Sequence, residues 1–300
     1  MINGNREAIE SRAVADTLRY EIVDVFTDRP FAGNPLAVVL DGDDLTATQM
    51  QALAREFNLS ETAFPLASAQ ATYRLRIFTP ETELPFAGHP SIGAAHTLAR
   101  LGRIPTGDVT QECGAGLLPV RVDHDEVTLT GGDPVVGSPR DAAPLLEAVG
   151  LSAEDLAPDA APPRLAGCGI SFAYLQVRPE ALAEVAPNPR MFGSLGAESG
   201  VSVFAWDPGR NDAHARVFAG EVGVAEDPAT GSAALGLGVW LVASGLADAD
   251  ATTAYTVRQG IEIHRPSTLR CAVSASGGRA VSATVAGGVV PVAAGEIAVP

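Results

Sequence analysis

The chain has 300 residues, 46% hydrophobic and 19% charged, enough apolar mass for large buried cores and enough length for two domains. Its 20 basic and 36 acidic residues give a formal net charge of -16, which repels polyanions and argues against nucleic acid or an anionic membrane as a partner. Every basic residue is arginine, so a lysine Schiff base, a lysine aldolase, a Ser-Lys dyad and a P-loop are excluded.

In chain order, residues 1–18 read as a disordered extension. The alternating run Tyr20 to Phe26 predicts a first strand, followed by a Gly/Asn/Pro turn and a second strand at Leu36 to Leu40. Thr46 and Gln49 form a capping box, and Met50, Leu53, Ala54 and Phe57 follow at helical spacing. Two more strands are expected at Glu61 to Leu66 and Tyr73 to Thr79, then a helix from His89 to about Gly102. From Asp108 to Thr130 the pattern is strand-like, broken by Gly114, Gly116 and Pro119. Gly131 to Pro163 is rich in Pro, Gly, Ala and acidic residues, with one short helix near Ala142 to Val149, and reads as an interdomain linker. The order then recurs: a strand near Ser171 to Val177, a short helix near Glu180, strands at Ser202 to Trp206 and His214 to Ala219, a helix after Asp227, and several strands to Pro300.

The expected organisation is an N-terminal lobe over 19–134 and a C-terminal lobe over 135–300, whose last strand can cross back to the first lobe. Each lobe has many short strands and one small-residue helix that is apolar nearly all round, and such a helix is normally buried. The fold class is α+β: two pseudo-symmetric lobes, each a mostly antiparallel sheet wrapped around a central helix. A dinucleotide-binding fold is disfavoured because no GxGxxG follows the first strand. No stretch approaches the roughly 20 apolar residues of a membrane helix, and the first residues lack a signal-peptide core, so a cytoplasmic location is expected. The cysteines Cys113, Cys168 and Cys271 have no metal-ligand spacing and read as reduced apolar fillers.

Two distant segments resemble each other: PFAGHPSIGAAHTLARLG from Pro85 and EDPATGSAALGLGVWLVASG from Glu226. In each, a polar residue and proline precede a helix rich in Gly, Ala, Ser and Thr, which places His89 and Asp227 at the expected N-cap positions. Helix N-termini attract carboxylates through their unpaired N–H groups and dipoles, and small side chains permit close approach. If the two mouths face each other, they form an anion-binding cleft containing an imidazole and a carboxylate.

Glu61, in NLSETAF, sits beside Leu59 and Phe64, where partial desolvation raises a carboxyl toward the range useful for proton transfer; alternatively it is a surface glutamate at a strand edge. His89 is either a cap or a neutral proton carrier. Asp227 also reads as an ordinary cap. Ser232, in the first turn of the second helix, is within reach of an anion held by the Gly231 and Ser232 amides, or is simply small enough to pack. No metal site is expected, because His89 and His96 are two turns apart, about 10 Å, and the other histidines have no ligand spacing.

VDVFTDRPFAGNPLAVVL (Val23 to Leu40), NLSETAF (Asn58 to Phe64), RIFTPETELPFAGHPSIGAAH (Arg76 to His96) and EDPATGSAA (Glu226 to Ala234) together resemble the PhzF-like phenazine biosynthesis isomerases. The resemblance spans roughly residues 19–300 and implies the diaminopimelate epimerase fold, with the active site between two lobes. It implies Glu61 as the acid/base, His89 and Asp227 as its partners, and Gly88, Gly231 and Ser232 as substrate-binding groups. It further implies a homodimer and a reaction without cofactor, like the isomerisation of trans-2,3-dihydro-3-hydroxyanthranilate. The related epimerases place a cysteine at each helix mouth. Here the mouths read AGHP and EDPATGS, so a two-thiol mechanism is not expected. The expected function is a cofactor-independent isomerase acting on a small-molecule carboxylate. An amino-acid epimerase with one carboxylate base and a non-catalytic binding protein are the alternatives.

Overall fold

The small-residue segments form the two helices around which everything else is wound. The computed structural model describes residues 16–196, 200–219 and 224–300. The first part contains β1 (Thr17–Val25), β2 (Asn34–Val39), α1 (Ala47–Phe57), β3 (Glu61–Leu66), β4 (Tyr73–Phe78), β5 (Glu83–Leu84), α2 (Gly88–Arg100), β6 (Gly107–Cys113), β7 (Gly116–Val122), β8 (Val127–Thr130) and β9 (Pro134–Val136). The second contains α3 (Ala143–Ala148), β10 (Arg164–Cys168), β11 (Ile170–Gln176), β12 (Val201–Asp207), β13 (Asp212–Ala219), β14 (Val224–Asp227), α4 (Gly231–Ala243), β15 (Thr252–Gln259), β16 (Ser267–Ser276), β17 (Arg279–Gly287) and β18 (Val289–Ala298). The result is a mixed sheet with few helices, consistent with α+β.

The strand pairing repeats. Antiparallel β1–β2 is followed by parallel β2–β3, antiparallel β3–β4 and β4–β5, then parallel β4–β6 across α2. Antiparallel β10–β11 is followed by parallel β11–β12, antiparallel β12–β13 and β13–β14, then parallel β13–β15 across α4. The meanders β6–β7–β8 and β15–β16–β17 complete each half and meet edge to edge at β8–β17. The end strands are exchanged, β18 pairing with β1 and β9 with β10. The strands thus form one continuous sheet rather than the two separate sheets expected from the sequence.

Several local expectations change. β1 begins at Thr17, so Thr17 and Leu18 belong to a strand paired with β18 through Ala298 and Ile297; residues 1–15 of the expected extension lie outside the described residues. Pro119 does not break the sheet but lies within β7, opposite Thr110 and beyond the β7–β8 ladder, where one side of the strand is unpaired. β9 and β10, in and just after the expected linker, pair with each other. The capping box at Thr46 and Gln49 forms and starts α1, which buries Met50, Leu53 and Ala54 against Phe64 and Phe78.

The glycines of the central helices have a packing reason. Tyr174 on β11 and Tyr255 on β15 donate their hydroxyls to the α4 carbonyls of Ala233 (2.6 Å) and Ala234 (2.7 Å). Each phenol crosses a glycine: a Cβ added at Gly236 would stand 2.3 Å from the Tyr174 hydroxyl, and one at Gly238 2.4 Å from that of Tyr255. On α2, a Cβ at Gly93 would lie 2.5 Å from Leu36 Cδ2. Glycine therefore sets how tightly the strands wrap. Trp240, one turn after Gly236, is fully buried and packs edge-on against Phe204 with ring centroids 5.1 Å apart.

Gly236→Ala discriminates this packing from helix propensity. In an exposed helix the change stabilises by up to about 1 kcal/mol; here it is expected to destabilise by about 1–3 kcal/mol through overpacking, read as a lower urea midpoint with an unchanged slope.

Candidate active site

α2 and α4 both begin without a side-chain cap: their N-cap residues, Ala87 and Thr230, make no side-chain cap hydrogen bond. First-turn N–H groups have no partner within the helix, so each mouth is a source of unpaired donors and positive dipole. The mouths meet. A Cβ added at Gly88 would lie 3.3 Å from both Gly231 Cα and Ser232 N. Glycine at both positions permits this approach, and it brings Gly88, Gly231 and the buried Ser232 together.

His89 and Asp227 are close to their expected places but not in them. His89 is the second residue of α2, because Gly88 already belongs to the helix; Pro90 is tolerated one position further on, where an N–H would have no intrahelical acceptor. Asp227 ends β14, and Pro228, Ala229 and Thr230 intervene before α4. It is not an N-cap, so the cap energy that role carries does not apply. Its Oδ2 instead accepts the Thr230 hydroxyl at 2.6 Å.

Glu61 opens β3, in register with Leu36 on the parallel neighbour β2. Its side chain is 16% exposed, which replaces the alternative of a surface strand edge, and its Oε2 has no hydrogen-bond partner among the described residues. Burial, with the nearby Asp227 charge added, pushes the Glu61 carboxyl up to about 8, against the opposing Ser60 hydroxyl. Burial also pushes Asp227 up to about 6, with Thr230 and Asn34 acting to lower it. His89 is 4% exposed, and burial drives its pKa down to about 3, with the Pro35 backbone acting the other way. Glu61 is thus pushed further toward its protonated form than Asp227, and the imidazole toward its neutral form. The 3.6 Å between Glu61 Oε2 and His89 Nδ1 is too long for a hydrogen bond and, with a neutral ring, is not an ion pair.

Asn34, the first residue of β2, joins these groups and was missed by sequence reasoning. Its fully buried amide lies 2.8 Å from Asp227 Oδ1, 3.0 Å from the Ala229 carbonyl and 3.3 Å from His89 Nδ1, and its Oδ1 accepts the Ser60 hydroxyl at 3.2 Å. Flipping the amide would set its oxygen against two acceptors, so the amide orientation is fixed. Gln259, at the end of β15, secures the turn after Asp227: its Nε2 donates to the Asp227 carbonyl at 2.7 Å and to Thr230 Oγ1 at 3.0 Å, while its Oε1 accepts the Thr230 N–H at 3.2 Å. Glu226 is held by Arg216 in a bidentate pair at 2.9 and 2.7 Å. The only local signal for Asn34 was its place in FAGNP, which also reads as turn chemistry. Gln259 had no signal at all.

The six residues expected from the sequence, Glu61, Gly88, His89, Asp227, Gly231 and Ser232, thus converge. The cysteines do not join them: Cys168 and Cys271 are buried in the core with thiols pushed up by desolvation, and Cys113 lies on β6. A hollow of about 660 Å³, lined by Arg29, His96, His124 and Arg270 among other residues, includes none of the six. Within it Arg270 pairs with Glu126, and His124 with Asp125. The clustered carboxyls, rather than the size of the hollow, mark the candidate site.

Comparison with known proteins places the chain. The profile of a family described as phenazine biosynthesis-like protein matches residues 23–295. An uncharacterised isomerase of Pasteurella multocida is 36% identical, with 94% of each chain covered. The trans-2,3-dihydro-3-hydroxyanthranilate isomerase of Pseudomonas chlororaphis is 34% identical over 83% of this chain and 87% of its own. Among solved structures, a PhzF-family phenazine biosynthesis protein from Bacillus anthracis superimposes with a TM-score of 0.86 at 27% identity, covering 94% of this chain and 99% of that one. By profile, sequence and fold, the chain belongs to the phenazine biosynthesis-like (PhzC–PhzF) family.

Proposed function

We propose that the protein is a cofactor-independent isomerase that moves a proton between two carbons of a small carboxylate-bearing metabolite, using Glu61 as the proton carrier. The observation that carries this reading is the convergence of one poorly hydrated carboxyl, Glu61, with two uncapped helix mouths at Gly88 and Gly231. The substrate carboxylate occupies the donors at the mouths, with the Gly231 and Ser232 amides and the Ser232 hydroxyl as its ligands. Held there, it presents a carbon to Glu61.

The reaction has two proton steps. The Glu61 carboxylate takes a proton from one carbon, and the C–H electron pair delocalises into the adjoining unsaturated system. The protonated Glu61 then gives the same proton to another carbon on the same face, and the double bond moves. Neutral His89 and the cleft amides stabilise the intervening anion as donors in a poorly solvated site. Excluding water limits exchange of the carried proton. The similarity to a trans-2,3-dihydro-3-hydroxyanthranilate isomerase favours a cyclic, amino-substituted acid as substrate. Two lobes closing on the substrate, a homodimer and a cytoplasmic location belong to the same reading. An amino-acid epimerase would leave the double bond in place, so product analysis separates it from an isomerase.

Glu61→Gln is expected to reduce turnover below detection while leaving carboxylate binding and the unfolding midpoint largely intact, measured by proton NMR of candidate acids in heavy water and by calorimetry; turnover equal to the parent removes Glu61 from the mechanism. The pH dependence has a defined sign. A base must be ionised, so kcat/KM is expected to climb with pH and level off above about 8, the value to which burial lifts Glu61. A limb in the ordinary glutamate range would contradict the desolvated site.

A further inference from the structure

The two carboxyls of the site are not treated alike by their surroundings. Each oxygen of Asp227 has its own donor: Oδ1 receives the Asn34 amide at 2.8 Å and Oδ2 the Thr230 hydroxyl at 2.6 Å. The Thr230 proton is committed to this bond, because its oxygen already accepts from Gln259. Glu61 Oε2, by contrast, has no donor among the described residues, and the Ser60 hydroxyl that acts to lower Glu61 is also given to Asn34 Oδ1. When one proton serves both groups, the carboxyl with more donors keeps the charge and the one with fewer keeps the proton.

The imidazole lies beside the same amide. Asn34 Nδ2 also faces His89 Nδ1 at 3.3 Å, but its two protons go to the nearer acceptors, Asp227 Oδ1 at 2.8 Å and the Ala229 carbonyl at 3.0 Å. His89 Nδ1 lies 3.6 Å from Glu61 Oε2. Asn34 lies on β2, whereas Asp227 and Ala229 lie on the far side of the cleft, on and just after β14. The other charged groups nearby are already engaged, Glu226 with Arg216 and Asp24 with Arg265. Glu61 and His89 are thus the titratable groups that face Asp227 among the described residues.

We propose that Asn34 is a positioning residue: by donating to Asp227 Oδ1 across the cleft, it keeps Asp227 ionised and leaves Glu61 as the group that takes up and gives back the proton. The consequence for the isomerisation proposed above, on which this inference rests, is that one group alone takes and returns the substrate proton. Without Asn34 the proton that Glu61 takes from the substrate is shared with Asp227, which draws it away from the carbon that must receive it.

The test is a carbon-13 NMR titration of side-chain carboxyls in substrate-free protein labelled at Asp and Glu, with Glu61→Gln and Asp227→Asn supplying the assignments. In Asn34→Ala the Asp227 midpoint is expected to rise by about one to two pH units, the equivalent of one lost hydrogen bond to a charged group. Near neutral pH the Glu61 resonance then moves toward its ionised position. Turnover is expected to fall by about tenfold to a hundredfold. Asn34→Ser, which retains one donor, serves if the alanine variant does not fold, with a rise in the same direction. An unchanged Asp227 midpoint in a folded variant overturns the proposal, as does a Glu61 resonance that stays fully protonated at neutral pH. Because the titration uses no substrate, absence of turnover in the parent protein would count against the isomerase reading alone.

Discussion

The contact on which the rest of the structure depends is the approach of two helix N-termini at Gly88 and Gly231. A Cβ at Gly88 would press on the backbone of Gly231 and Ser232 at 3.3 Å, so glycine there is what leaves the approach of the mouths unstrained. Their closeness makes a small region rich in unpaired N–H donors and poor in water. Glu61, His89 and Asp227 are buried in that region, and burial is the largest cause of the shift at each of the three. The chemistry proposed for the site is therefore rooted in packing: the burial at this junction is what pushes the Glu61 carboxyl toward its protonated form.

The repeated strand pairing explains how two distant stretches of chain come to face each other. Each central helix follows a short hairpin strand, β5 or β14, and returns to a strand parallel with β4 or β13. Two copies of that arrangement, joined at β8–β17 and by the exchanged strands β9 and β18, point both helices at one place. The symmetry is not carried into the side chains. One mouth supplies an imidazole from within its first turn, and the other a carboxylate from the strand before it. In the proposed reaction that difference gives the two halves unlike parts.

Much of this was legible in the sequence because it rests on local signals. The capping box at Thr46, the alternation from Tyr20 and the two Gly/Ala-rich helices each follow from a spacing of residues, and so does the suspicion that the two mouths form a pair. What was not legible depends on distance. β5 and β14 are too short to show a period, and β10 reads Leu-Ala-Gly in its interior with no apolar–polar alternation. The placements of His89 and Asp227 as caps failed for a related reason: proline was taken to mark the first helical position, yet Pro90 lies third in α2 and Pro228 lies before α4. Asn34 and Gln259 are 193 and 32 residues from their partner Asp227. Only the folded chain reveals that an amide in a turn-like FAGNP holds a carboxylate on the opposite side of the cleft.

The most direct measurement is a crystal structure with a small aromatic amino acid such as 2-aminobenzoate bound. The account predicts that its carboxylate accepts hydrogen bonds from the Gly231 and Ser232 amides and that its ring lies against Glu61. A carboxylate bound elsewhere, with only water between the two helix mouths, would contradict it.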